Sequence, residues 1–430
     1  MDKKELRKLS KNQLIELLFS EREARLQLEE EVKEIKRYLK SFDNPHTPSS
    51  KKNKKNKKKE NNNKPRFPGK PQGSNGGGIK IPEPDEVKEH TLDTCPLSGL
   101  KLGKPIGFRK KIVIDFPDKP IRVVEHRIMK YISPQTGGIV EKDVKLPKGV
   151  YGKNIKSVVA MLKNLTNSHD KISDFLRELG AVSFSSAEVQ GVADAFANKL
   201  EKKRQNLLYR IRKAPYVNAD ETGFRKDGQN GNVWGVFTAT ISIFHAAMSR
   251  ARINIKKLLK DFKGVVVCDG YNAYDEFPLR QRCWAHLIRE AKDYAKEDKE
   301  IEVQYKRLKL LYVHLNILNT KPPDEKEIDK AKFILNDIVT CLNSIRGARK
   351  LSTLIENGGD DWFTALYYEN VPLHNNHAER ELRPIVLLRK TIGCYRNNKG
   401  KRWIDIVVSL LHTWKLQGKN LFKELVLVAE

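Results

Sequence analysis

Hydrophobic spacing divides the chain into stretches of different character. Residues 3–40 hold neither Pro nor Gly, and they place Leu14, Glu21, Leu28 and Ile35 on one heptad position and Leu17, Ala24, Glu31 and Tyr38 on the other. That spacing predicts a coiled-coil helix over 1–42, imperfect where two glutamates enter the seam, joining protomers into a homodimer or higher assembly. Residues 43–80 cannot bury apolar surface: lysines crowd 51–59, and Gly73-Ser74-Asn75-Gly76-Gly77-Gly78 follows. A disordered basic linker is expected there. From 81 to 150, short β-like runs (Lys111–Phe116, Ile121–Met129) alternate with Gly, Pro and Asp turns. Over 151–213 the spacing turns helical, with runs at Asn154–Leu165 and Lys171–Leu179, the second stopping at Gly180. A third helix opens where Ser185 and Glu188 have capping-box spacing and runs to about Arg212. Two helices joined by a Gly-containing turn give a helix-turn-helix outline, so 151–213 is expected to be a helical DNA-binding region.

At Ala214 the period becomes two. Tyr216–Phe224, Val233–Thr240 and Ile241–Met248 read as successive strands, with Gly228 and Gly231 turning the first into the second. Arg252–Phe262 is an amphipathic helix, and Gly264–Cys268 is apolar throughout, hence a central parallel strand. Arg280–Cys283 forms a short fifth strand before a helix from Trp284 to about Glu297. Three antiparallel strands, a helix and a buried parallel strand match a ribonuclease-H-like α/β core over 214–297. Long charged helices over 298–370 read as an insertion, and 371–430 completes the core. Such folds gather ligand-binding groups at the ends of central strands.

Charge then narrows the partners. Lys and Arg number 82 against 54 Asp and Glu, a formal net charge of +28. The natural partner of that surface is a polyanion, because each neutralised phosphate releases counterions. Lys51, Lys52, Lys54, Lys55, Lys57, Lys58 and Lys59 are therefore expected to touch DNA phosphates without reading sequence. The five cysteines are scattered, with no CxxC pair, which excludes a disulfide scaffold and suits a reducing compartment. A charged N-terminus and the absence of any apolar run of ~20 residues predict a soluble cytoplasmic protein, nucleoid-associated in a prokaryote, with no membrane partner. Cys95-Pro96-Leu97-Ser98-Gly99 and Ser133-Pro134-Gln135-Thr136-Gly137 look like zinc-knuckle turns, yet Cys95 is their only cysteine. One thiolate cannot hold a structural zinc, so 81–150 is expected to be a degenerate zinc-ribbon-like β domain without the metal.

Three acidic residues carry the candidate chemistry. Asp220 and Asp269 stand at expected strand ends, and Glu379 stands in the first turn of an expected helix after His374-Asn375-Asn376-His377. Each has a plainer role open to it. Asp220 could open the Glu221-Thr222-Gly223 turn, Asp269 could begin an Asp-Gly-Tyr-Asn turn, and Glu379 could close a capping box on Asn376. Together, in so basic a chain, they suggest metal-assisted phosphoryl chemistry on nucleic acid. Two Mg²⁺ ions (Mn²⁺ as a substitute) ~3.5–4 Å apart would neutralise the attacked phosphate and activate the attacking hydroxyl. Arg380, Arg383, Arg389 and Lys390 lie along the same helix, which Pro384 is expected to kink, and are candidates to clamp DNA phosphates. Cys283/His286 and His374/His377 lack a convincing fourth partner for zinc and are read as structural or DNA-facing.

Four motifs carry a resemblance. Ala219-Asp220-Glu221-Thr222-Gly223, Cys268-Asp269-Gly270-Tyr271-Asn272-Ala273-Tyr274, Cys283-Trp284-Ala285-His286-Leu287-Ile288-Arg289-Glu290 and Asn375-Asn376-His377-Ala378-Glu379-Arg380 with Leu382-Arg383-Pro384 resemble, in order, the insertion sequence 66 family of transposases. The likeness extends to the N-terminal helix, the Asn44-Pro45-His46-Thr47-Pro48-Ser49-Ser50 linker and the C-terminal region. It implies a DDE transposase with Asp220, Asp269 and Glu379 as the catalytic, metal-holding triad. It also implies cutting at element ends to expose 3′ hydroxyls that attack target DNA, and accessory proteins encoded beside the gene. The departure is the zinc-binding segment, reduced to Cys95. Two alternatives share these residues: a non-catalytic DNA-binding protein derived from a transposase, and a nuclease that hydrolyses without joining.

Overall fold

The structure, a computed structural model, describes residues 83–430 apart from 94–95, 102–103, 105–108, 113, 115, 118–119, 136–137, 148, 181–183, 297 and 323. The coiled coil expected over 1–42, the linker with its lysines at 51–59, and Cys95 all lie outside the described residues. By internal contacts the chain forms two units, residues 45–124 and the remainder. In the first unit the described residues hold no helix and no strand of three residues or more. The strands expected at Lys111–Phe116 and Ile121–Met129 therefore do not form among the described residues. Ladder pairing appears instead between Lys130–Ile132 (β1) and Ile139–Glu141 (β2), which run antiparallel. The physical reason lies in burial: no described residue from 83 to 150 is buried, so the β-like runs have no core to alternate against.

In the larger unit, helices α1 (Lys153–Asn164) and α2 (His169–Glu178) precede α3 (Ser186–Arg212). The anticipated capping box is present, with Ser185 and Glu188 satisfying each other's backbone N–H groups at the start of α3. That helix buries Val189, Val192, Phe196, Leu200, Leu207 and Ile211, and these join one hydrophobic cluster with the sheet.

The sheet order is β5-β4-β3-β6-β7, built from β3 (Tyr216–Lys226), β4 (Gln229–Phe237), β5 (Ser242–Ala247), β6 (Val265–Cys268) and β7 (Arg280–Arg282). β3, β4 and β5 pair antiparallel, whereas β6 runs parallel to β3 and β7 parallel to β6. This mixed topology is compatible with a ribonuclease-H-like core. Asp227 and Gly228, at φ 50° and 72°, make the two-residue β3–β4 turn, with the positive φ at both centres that a type I′ turn requires. Gly231 lies beyond that turn and serves another purpose. It sits inside β4, where a Cβ would stand 2.5 Å from the Ala247 carbonyl oxygen. Between β5 and β6 runs the short helix α4 (Ile253–Leu258). Gly264 then lets β6 start against β3, since a Cβ there would fall 2.3 Å from the Pro215 carbonyl oxygen.

After β7 come α5 (Trp284–Tyr294), α6 (Lys299–Leu318), α7 (Glu325–Ser344) and α8 (Arg349–Glu356). Their apolar faces form a second cluster around Trp284, Tyr312, Leu335 and Trp362, reaching the sheet through Val265 and Val267. The chain returns as α9 (Asn376–Ile392), α10 (Asn398–Arg402), a π-helical turn at Trp403–Val408, α11 (Ser409–Leu416) and α12 (Leu421–Ala429). No helix among the described residues is long and apolar enough to cross a membrane.

The edge strand β5 is closed by side chains rather than by another strand. Its N–H groups at Ser242, Phe244 and Ala246 donate to Thr413 Oγ1 (3.0 Å), Ser409 Oγ (2.9 Å) and an Asp405 carboxylate oxygen (2.6 Å). Four helical residues rise ~6 Å and two strand residues ~6.7 Å, so residues four apart on a helix can meet alternate residues of a strand beside it. This blunts an edge that would otherwise template aggregation. Ser409→Ala should leave the buried Phe244 N–H without its acceptor and lower stability by about 1–3 kcal/mol. Urea denaturation reads the effect, and an unchanged midpoint would contradict the assignment.

Candidate active site

Parallel pairing sets the first two carboxylates side by side. Asn218 stands opposite Val267 in the β3–β6 ladder. Two residues further along each chain are Asp220 and Asp269, at the same level and on the same face because side chains alternate with period two. Asp220 accepts the Glu221 N–H (2.8 Å), and Asp269, just past the end of β6, accepts the Tyr271 N–H (2.9 Å). Each aspartate is half-buried, as is Glu379 in the first turn of α9.

Electrostatics tie the three together. Burial, and then the negative charges of Asp269, Glu221 and Glu379, push the Asp220 carboxyl up to about 8. A carboxylate so placed lacks positive charge. Among the described residues, no three His, Cys, Asp or Glu side chains stand in a ready-made metal-holding arrangement. The donor chemistry nonetheless suits an oxygen-seeking divalent cation, and such an ion would relieve the charge crowding on Asp220. The three side chains would have to close on it.

Glu379 does not play the capping role that its spacing from Asn376 suggested. The N-cap of α9 is Asn375, and it makes no side-chain capping bond. Its amide is engaged elsewhere, donating to the Ala219 carbonyl (2.7 Å) and accepting from the Asn218 amide (2.9 Å). Glu379 instead faces α5, with His286 Nε2 at 3.2 Å and Arg289 Nη2 at 3.4 Å.

On the opposite face of β3, Glu221 is almost fully buried and is held by Arg250, whose Nε lies at 3.0 Å, and by the Tyr274 hydroxyl at 3.1 Å. The Arg250 guanidinium stacks 3.8 Å from the centre of the Tyr271 ring, next to the Asp269 turn. Sequence reasoning gave Glu221, Arg250, His286, Arg289 and Asn375 no specific place in the site. For Glu221 the available signal was strand alternation after Asp220, since adjacent residues face opposite sides; for His286, Arg289 and Asn375 it was their place in the motifs Cys283–Glu290 and Asn375–Arg380.

The candidate DNA contacts divide. Arg380, Arg383 and Lys390 are exposed along α9. Arg389 turns inward and donates to the Gly223 carbonyl at 3.0 Å, a structural bond to β3. His377 accepts from Arg380 through Nδ1 (3.1 Å), which leaves its Nε2 to donate to the Thr238 carbonyl (2.9 Å). Burial lowers the His374 pKa.

No curated protein sequence matches the chain. A family model described as "Transposase IS66 family" matches residues 148–402. That span takes in β3, β6, α5 and α9, and with them all three carboxylates and the groups that face Glu379. By that match the chain belongs to the IS66 family of transposases.

Proposed function

We propose that this transposase cuts DNA at the ends of its element and joins the freed 3′ ends to target DNA, with Asp220, Asp269 and Glu379 holding two Mg²⁺ ions, or Mn²⁺ in their place. The observation that carries the proposal is the shared electrostatic neighbourhood of three carboxylates from β3, the end of β6 and the start of α9. Bound divalent ions would neutralise charge on the attacked phosphate and on the leaving oxygen. The protein's own part is to orient these carboxylates and to hand Glu379 from His286 and Arg289 to the ions. The Arg289 guanidinium would then be left beside the phosphate. Arg380, Arg383 and Lys390, exposed on the same helix, would meet the DNA backbone further out. The lysines at 51–59 would add contacts that ignore sequence, the helices over 151–213 would contribute DNA binding, and the N-terminal helix would join protomers. Accessory proteins of the same element are further expected partners.

Asp269→Asn should lower Mg²⁺-dependent cleavage of element ends by about 100- to 1000-fold or more, with DNA affinity nearly unchanged. Wild-type cutting by this variant would remove the assignment. Pre-cleaved ends separate joining from hydrolysis: a transposase transfers them to target DNA, whereas a nuclease of the same fold does not.

A pH dependence follows from the raised Asp220 pKa. The metal-free fold keeps a proton that the unfolded chain loses near the ordinary aspartate value, so this group's contribution to stability declines as pH rises from about 4 through about 8. Below that pH an entering cation must displace the proton. Mg²⁺ affinity, read from thermal upshift against ion concentration, should tighten by up to about tenfold per unit between pH 6 and 8 and then level off. Asp220→Asn should flatten that curve. A pH-independent midpoint in the wild type would contradict the account.

A further inference from the structure

We propose that Asn375 and Cys283 form a clasp that sets the spacing of the three carboxylates, acting as positioning residues for the reaction inferred above. The inference rests on that reading and on a chain of hydrogen bonds whose anchors all neighbour the acids. The Cys283 N–H donates to the carbonyl of Cys268 (3.0 Å), the residue before Asp269. The Cys283 sulfur accepts the Asn375 N–H (3.1 Å). The Asn375 side-chain amide donates to the carbonyl of Ala219 (2.7 Å), the residue before Asp220. Its side-chain oxygen accepts from Asn218 (2.9 Å), and its carbonyl accepts the N–H of Glu379 itself (3.3 Å). One connected set of bonds thus reaches the backbone at or beside each carboxylate.

The chemistry requires these residue types. Asn375 is fully buried, so each of its polar groups needs a partner. Only a short carboxamide offers a donor to Ala219 and an acceptor to Asn218 at once. Asp would turn an acceptor toward the Ala219 carbonyl, and Ala would orphan two groups. Cys283 is also buried and is the N-cap residue of α5, the helix that carries His286 and Arg289 toward Glu379. The clasp therefore fixes the carboxylates together with the His286 and Arg289 side chains beside one of them. Asn375 gives up the ordinary capping bond of α9 to make it. That trade fits a positioning role better than simple helix stabilisation.

The test compares Asn375→Ala, Asn218→Ala, Cys283→Ala and Cys283→Ser in the full chain, titrating Mg²⁺ in the end-cleavage assay and measuring DNA affinity in parallel. Loss of the clasp should raise the Mg²⁺ concentration for half-maximal cleavage by about 10- to 100-fold, with partial recovery at high Mg²⁺ and a DNA Kd within about twofold of wild type. Asn218→Ala should shift it in the same direction by less, and Cys283→Ser, which keeps an acceptor, should stay within a few-fold of wild type. Should Asn375→Ala fail to fold, Asn218→Ala and Cys283→Ala decide the question by the same readout. Folded variants with wild-type Mg²⁺ dependence would overturn the clasp while an inactive Asp269→Asn left the catalytic reading standing. An active Asp269→Asn would instead overturn the catalytic reading.

Discussion

The parallel pairing of β3 with β6 is the constraint on which the rest of the site depends. An antiparallel neighbour would have carried the acid at the end of β6 to the far end of β3. Parallel pairing, reached through the α4 crossover, puts Asp220 and Asp269 level and on one face. Gly264 permits the close approach at the strand start, and the apolar run Val265–Cys268 is buried on both sides because clusters from both faces of the sheet meet there. The apolar pattern of four residues thus fixes where a pair of charges sits.

Those charges are uncomfortable as they stand. Asp220 is crowded by burial and by three acidic neighbours, and Glu379 faces His286 and Arg289. The contrast with Glu221 is instructive. Also buried, it lies across the same strand from Asp220 but has Arg250 and Tyr274 as fixed partners. Burial raises the pKa of both acids, but Arg250 and Tyr274 offset it at Glu221, whereas neighbouring carboxylates add to it at Asp220. That unrelieved charge crowding at Asp220 is what the proposed metal-holding role draws on.

Much of this was legible in the chain. Period-two alternation from Tyr216, the unbroken apolar run of β6 and the helical spacing of the insertion foretold the elements of the core. The Ser185–Glu188 cap was readable because both partners are local. Long-range effects were not. Asn376 and Glu379 had the spacing of a capping box, yet Asn375 is drawn to β3 by bonds to residues more than 150 positions away, and the cap is lost. Arg389 resembled its exposed neighbours in sequence and turned inward only because Gly223 leaves room for it. The β-like runs near 111–129 carried strand propensity without a core to alternate against. Propensity without burial makes no sheet.

Location of the metal tests the central claim most directly. Anomalous scattering from crystals of the protein soaked in Mn²⁺ would locate bound ions independently of any activity. The account predicts anomalous density within direct ligand distance of both Asp220 and Asp269, with Glu379 turned from Arg289 toward it. Ions bound only elsewhere, or none at saturating Mn²⁺, would contradict it.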